Sequence, residues 1–187
     1  MDSLTLTGIS LFGLGTIILA LISRAALVEP GSHGFYRFFA WEFLLALFLR
    51  NAPDWFEQPL AWNQLISWAL LLVSLFLVIH SARLLQRSGA QHAGRPGDGL
   101  YAFEKTTRLV MTGAYRYIRH PLYSSLLFLG WGMFFKSPDP LDGLLALAAT
   151  VLLLATAKAE ERENLAYFGE QYRAYMHRTK RFIPFVF

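Results

Sequence analysis

The chain has 187 residues, 55% of them hydrophobic and 16% charged, with a net charge of +4 and no cysteine. A mean hydropathy of +0.37, with the apolar residues gathered into long blocks, excludes an ordinary soluble domain. The lack of cysteine excludes disulfides, thiolate metal sites, a cysteine nucleophile and acylation on cysteine. Cations clustered beside apolar blocks fit membrane topology better than nucleic-acid binding.

In chain order, Leu4–Ile22 is uncharged and approaches the ~20 residues that a membrane-spanning helix needs. No basic residue precedes it and Arg24 follows, which suits an uncleaved anchor with its N-terminus outside. Phe35–Leu49 is a second block, interrupted by Glu42, and Leu60–Ile79 is the third, with His80 at its interfacial end. Leu122–Phe135 and Leu141–Ala157 are the fourth and fifth, separated by the breaker Lys136-Ser-Pro-Asp-Pro140. The fourth reaches only roughly 20 Å at ~1.5 Å per residue, so the last two blocks read as a helical hairpin. This predicts an all-α integral membrane protein of five transmembrane helices in one domain. Three helices lie in residues 1–81. The connecting loop, the hairpin and a C-terminal helical tail lie in 82–187.

Charge sets the expected orientation. The connection after the third block carries Arg83, Arg87, Arg95, Lys105, Arg108, Arg116 and Arg119, and the tail adds Lys158, Arg162, Arg173, Arg178, Lys180 and Arg181. Asp54 and Glu57 lie in the loop between the second and third blocks, with Trp55 and Trp62 at the expected outer belt. Both basic segments are therefore placed in the cytoplasm. Ser88–Gly99 is glycine-rich but lacks a phosphate loop's ending and reads as a linker.

Gly113–Tyr123 is a dense basic and aromatic run leading into the fourth block. Pro121 suits the first position of a helix, and Arg119–His120 form the junction before it. Tyr123 falls in the first turn, where free N–H groups and the dipole favour an anion. Glu160 and Glu161 follow where the fifth block emerges, either as a solvated helix end or facing Arg119–Tyr123 if the hairpin closes. In the closed arrangement a cationic, aromatic cluster meets two carboxylates, which suits a zwitterionic ligand. Leu165, Phe168, Tyr172 and Tyr175 then form an apolar, aromatic stripe at helical spacing, with Gly169 as a kink within it. His33, His92 and His177 show no ligand-like spacing with carboxylates, and no metal site is expected. Glu42, an ionisable group in an apolar block, either reaches water or serves the acceptor.

Taken together, Gly113-x-Tyr115, Arg119-His-Pro-x-Tyr123, Glu160-Glu161, Phe168-Gly-x-x-Tyr172-x-x-Tyr175 and Pro184 resemble the isoprenylcysteine carboxyl methyltransferase family and its prokaryotic relatives. Phospholipid N-methyltransferases share part of the pattern. The resemblance covers roughly the C-terminal 60% of the chain. It implies methyl transfer from S-adenosylmethionine to a lipophilic acceptor that enters from the bilayer, in a prokaryotic inner or plasma membrane. Carried over, Gly113, Tyr115, Arg119, His120, Pro121, Tyr123, Ser125, Glu160, Glu161 and Tyr172 would serve the cofactor site, with Glu160 and Arg119 closest to the chemistry. Glu42, Trp131 and Lys158 are the candidates for the acceptor. Ser125 stands where many relatives have glycine, and Ala155–Lys158 lacks the arginine of carboxyl-methylating members. A prenylcysteine carboxylate is therefore disfavoured as the acceptor. A nicotinamide-dependent membrane reductase and a non-catalytic protein with a degenerate pocket are the competing readings.

Overall fold

The computed structural model describes residues 3–88 and 107–186, and these are helical apart from connections. The helices are α1 (Ser3–Ile22), α2 (Arg24–Leu27), α3 (His33–Asn51), α4 (Trp62–Ser88), α5 (Pro121–Phe134), α6 (Pro140–Phe168) and α7 (Glu170–Arg178), with a 3-10 turn at Gly113–Arg116. The expected linker Ser88–Gly99 lies, after Ser88, outside the described residues, as do His92, Arg95 and Lys105.

Local chemistry sets the boundaries. Ser32 caps α3 by accepting from the Phe35 amide at 3.2 Å, and Asp139 caps α6 by accepting from Leu141 and Asp142. Pro121 and Pro140 occupy the first positions of their helices. Gly169 takes φ +57°, a left-handed conformation that glycine adopts without strain. It breaks α6 from α7 at the kink the sequence suggests. One expectation changes: α4 runs on to Ser88, so His80 lies two turns inside the helix, stacked on Phe76. The apolar block ends there, but backbone hydrogen bonding carries a helix past its apolar segment.

The most extensive packing joins α4 to α5 and α3 to α6, and α5 and α6 meet as the arms of a hairpin. Residues Ala146, Ala149, Leu153, Thr156 and Ala157 form the buried face of α6, and their small size lets α3 approach closely. Between α4 and α5, Ser67 donates to the Gly132 carbonyl and Ser74 to the Ser125 carbonyl, both at 2.7 Å. At one end of the bundle Arg50 and Asn51 of α3 grip Asp142 of α6. Nearby, Lys136 is buried against Trp68 and donates to Gln64.

Among the described residues, two helices, α4 and α6, are long and apolar enough to cross a membrane. The other apolar helices are shorter or carry charge: α3 contains Arg37, Glu42 and Arg50, and α5 has 14 residues. The outer faces of α1, α4 and α6 leave large apolar side chains uncovered, among them Leu21, Leu72, Phe76 and Leu144.

Candidate active site

The Gly113–Tyr123 run and the end of α6 meet, and the C-terminal segment holds them together. Beyond α7 the chain turns back and pairs in parallel with residues 117–120. Lys180 donates to the Tyr117 carbonyl at 3.0 Å, Arg119 to Lys180 at 2.8 Å, and His120 to Arg181 at 3.1 Å. The Tyr175 hydroxyl donates to the Tyr115 carbonyl at 2.6 Å, and the Ser124 hydroxyl donates to the Phe182 carbonyl at 2.8 Å. Junction, helix start and tail thus share one hydrogen-bond network.

The two adjacent glutamates have different surroundings. Glu161 is buried and accepts from Arg119 Nε at 2.8 Å and from Arg181 at 3.1 and 2.8 Å. Arg119 also donates to the carbonyls of Met176 and Thr179, so its guanidinium ties α6 to the tail. Charge-assisted bonds of this kind are the strong ones. Glu160 lies 3.4 Å from Asn164 and 3.6 Å from His120, and the Tyr123 hydroxyl helps to hold it ionised. Unlike Glu161, it has no arginine partner among the described contacts.

His120 sits between both, with Nε2 3.4 Å from Glu161 and Nδ1 3.6 Å from Glu160. Each ring nitrogen thus faces one of the two carboxylates. Burial pulls the imidazole down, but the contacts with Glu160 and then Glu161 raise it further, leaving it above its ordinary value. The ring stacks on Tyr123, 5.5 Å between centroids. On α7, burial pushes the Tyr172 and Tyr175 phenols up, Tyr172 with added repulsion from Glu160. Both remain neutral donors near pH 7.

A cavity opens at this junction. Tyr115, Arg119, His120, Pro121, Tyr123, Glu160 and Tyr172 line it, joined by Leu109, Val110, Asn164, Phe168 and Tyr175. The start of α5 and Glu160 both line it. The cavity holds about 80 Å3, below the ~300–1,000 Å3 range of small-molecule sites. Leu109 and Val110 also line a neighbouring recess of about 500 Å3 that carries Arg87 and Arg108.

Other expected site residues lie elsewhere. Gly113 adopts φ +58°, and a Cβ there would meet His80 and Leu84 within 2.7 Å. It therefore shapes the turn that presents Tyr115. The Ser125 hydroxyl donates to the Leu122 carbonyl, inside α5. Glu42 accepts from Thr16 at 2.7 Å, linking α3 to α1. Lys158 is exposed and lines neither of the two cavities at α5. Trp131 lines a second, apolar cavity of about 280 Å3 formed by α4, α5, α6 and the tail.

Two participants escaped the sequence reading. Asn164 lies one turn after Glu160, and that i, i+4 spacing on one helix face is the signal that could have found it. His33 has a carboxylate partner after all. Its Nδ1 is 2.6 Å from Glu163, and its backbone amide donates to the same carboxylate at 3.1 Å. A separation of 130 residues leaves no local signature. No group of three or more metal-ligating side chains occurs among the described residues.

Comparisons with known proteins agree on one family. The phospholipid methyltransferase family model matches residues 62–171. Methanethiol S-methyltransferase of Pseudomonas deceptionensis is 30% identical over 64% of this chain and 42% of its own length. Its counterpart from Crocosphaera subtropica is 32% identical over 65% and 44%. Human protein-S-isoprenylcysteine O-methyltransferase is 27% identical over 71% and 49%. The chain thus spans about half the length of the curated relatives it matches. No solved structure matches it.

Proposed function

Because the chain belongs to the phospholipid methyltransferase family, we propose that it is a membrane-embedded methyltransferase that uses S-adenosylmethionine and a lipophilic acceptor. The observation that carries this reading is the split between the two glutamates. Glu161 is held by two arginines, while Glu160, whose contacts are Asn164, His120 and Tyr123, lines a cavity walled by tyrosines. A carboxylate and aromatic faces attract a cation, and the N–H groups at the start of α5 suit a carboxylate. The donor carries both kinds of group. Tyr115, Tyr123 and Tyr172 exclude water around it, and Glu160 and Asn164 orient its cationic end. His120 and Glu161 hold Glu160 in place, and Arg119 holds the wall.

When bound, S-adenosylmethionine supplies a methyl group on a sulfonium centre: the acceptor's lone pair forms the new bond as the carbon–sulfonium bond breaks, its electrons staying on the donor sulfur. Such a displacement depends on positioning more than on acid–base help. We place five segments in the membrane, α1, α3, α4 and the α5–α6 hairpin, with the N-terminus outside and the site at the cytoplasmic face. The uncovered apolar faces of α1, α4 and α6 and the basic residues flanking the site support this placement.

Ultraviolet cross-linking of labelled S-adenosylmethionine to the purified protein tests the reading. Label recovered in peptides spanning 109–123 or 160–175, and displaced by S-adenosylhomocysteine, is the expected result. Absence of displaceable label in these peptides contradicts it.

A further inference from the structure

Beyond the pairing at residues 117–120 the chain makes one more turn, at residues 183–186. The Val186 amide donates to the Ile183 carbonyl at 3.2 Å, with Pro184 at the second position. Phe185, at the third, takes φ +66°, a left-handed conformation that glycine or asparagine usually occupies in such a turn. A phenylalanine held there is strained. The turn leaves its ring outside: Phe185 is 81% exposed and Val186 72%. Ile183 and Tyr117 are exposed too, and the Phe185 and Tyr117 rings lie 5.9 Å apart. A strained backbone thus builds an apolar, aromatic patch that no described residue covers.

Two observations say what does cover it. Ile183 lines the 280 Å3 apolar cavity together with Leu127 of α5 and Leu154 of α6. After Phe182 the chain therefore runs along the apolar zone of the bundle, and the patch continues the uncovered helix faces. The rim of the patch, by contrast, is basic. The Arg116 guanidinium lies 5.9 Å from the centre of the Tyr117 ring. Lys180, whose amide donates to the Tyr117 carbonyl, is exposed. Apolar and aromatic side chains rimmed by cations match the boundary of an anionic leaflet, rings among the acyl chains and cations at the phosphates.

We propose that residues 183–186 and Tyr117 insert into the cytoplasmic leaflet, with anionic lipid headgroups against Arg116 and Lys180, and that this insertion holds the wall of the donor site in place. The inference rests on the membrane placement proposed above. The path to the site is short. The Phe182 carbonyl, next to Ile183, accepts from Ser124, and the Arg181 carbonyl accepts from the His120 amide. The Arg181 side chain binds Glu161. A turn seated in the leaflet keeps these contacts, and a turn loose in water pulls on them.

The lack of cysteine lets a nitroxide be placed at Val186→Cys, and at Leu72→Cys on the uncovered face of α4 as a reference, in protein reconstituted in nanodiscs. Collisions with oxygen, which concentrates in lipid, are compared with those of a neutral, water-soluble nickel chelate. Oxygen collisions should dominate at both positions, and Phe185→Ser, unlike Phe185→Trp, should reverse this at Val186. Phosphatidylglycerol mixed into phosphatidylcholine should lower nickel collisions at Val186 at least twofold. It should also tighten S-adenosylhomocysteine binding at least threefold. Both differences should vanish in the Arg116→Gln, Lys180→Gln double variant. Val186 open to nickel while Leu72 is shielded overturns the insertion and leaves the membrane placement standing. Leu72 open to nickel as well overturns that placement, and this inference with it. A Val186 label shielded from both reagents and broadened by a neighbouring label puts a second copy of the chain on the patch, and overturns the insertion too. Equal depth in the two lipid mixtures overturns the headgroup contact. Equal S-adenosylhomocysteine affinity in both overturns the link to the donor site, and no binding in either overturns the donor reading while leaving the insertion intact.

Discussion

Among single residues, two neighbouring carboxylates differ by their partners. Glu160→Gln removes a charge with almost no change in shape, and should weaken S-adenosylhomocysteine binding at least tenfold, about 1.4 kcal/mol. Its unfolding temperature should fall, because His120 loses one of its two carboxylates, but by less than in Glu161→Gln. Glu161→Gln strands two arginines that are 9% and 20% exposed. Breaking a buried pair costs about 3–5 kcal/mol, so thermal unfolding in detergent should detect it readily. His120 adds a pH signature. Its folded value is raised above the ordinary ~6.5, so the charged imidazole contributes fully below that value. The contribution is lost as pH rises through the higher, folded value. Melting temperature should fall across that window in the wild type and stay flat in His120→Gln. The residue types here were legible because proline, tyrosine and paired glutamates carry local meaning. The division of labour between Glu160 and Glu161 was not. Adjacent positions on a helix point about 100° apart, and only the fold decides which one meets Arg119 and Arg181.

At the scale of elements, the tail behaves as part of the site. Residues 179–182 return to pair with 117–120, and the Tyr175 hydroxyl and Arg119 complete the link. Arg119→Lys keeps the charge but loses the geometry that reaches Glu161 and two carbonyls together. Donor affinity should fall with it, and limited proteolysis should release the C-terminal segment sooner than in the wild type. A second clamp joins the start of α3 to α6, where His33 holds Glu163 by ring and amide, one turn from Glu160. The hairpin and the kink at Gly169 could be read from proline and glycine. The pairing of the tail and the His33–Glu163 contact could not, because both depend on long-range closure with no periodic signal.

At the scale of the whole molecule, the lack of cysteine makes membrane topology directly testable with single-cysteine variants. Cysteines at Gln58 and at His177 should be labelled from opposite sides of the membrane, Gln58 from outside. Labelling of both from one side would contradict the five-segment arrangement. Among the described residues, two helices, α4 and α6, are long and apolar enough to cross a membrane on length and composition alone. The others are shorter or carry Arg37, Glu42 and Arg50, whose contacts with Trp41, Thr16 and Asp142 appear only once the helices are assembled. Donor binding is the claim on which the rest depends. The most direct measurement is calorimetric titration of S-adenosylhomocysteine into the solubilised wild type and Glu160→Gln. Micromolar binding by the wild type, weakened at least tenfold in the variant, is the predicted result. Absence of binding by folded wild-type protein, or equal binding by both, would contradict it.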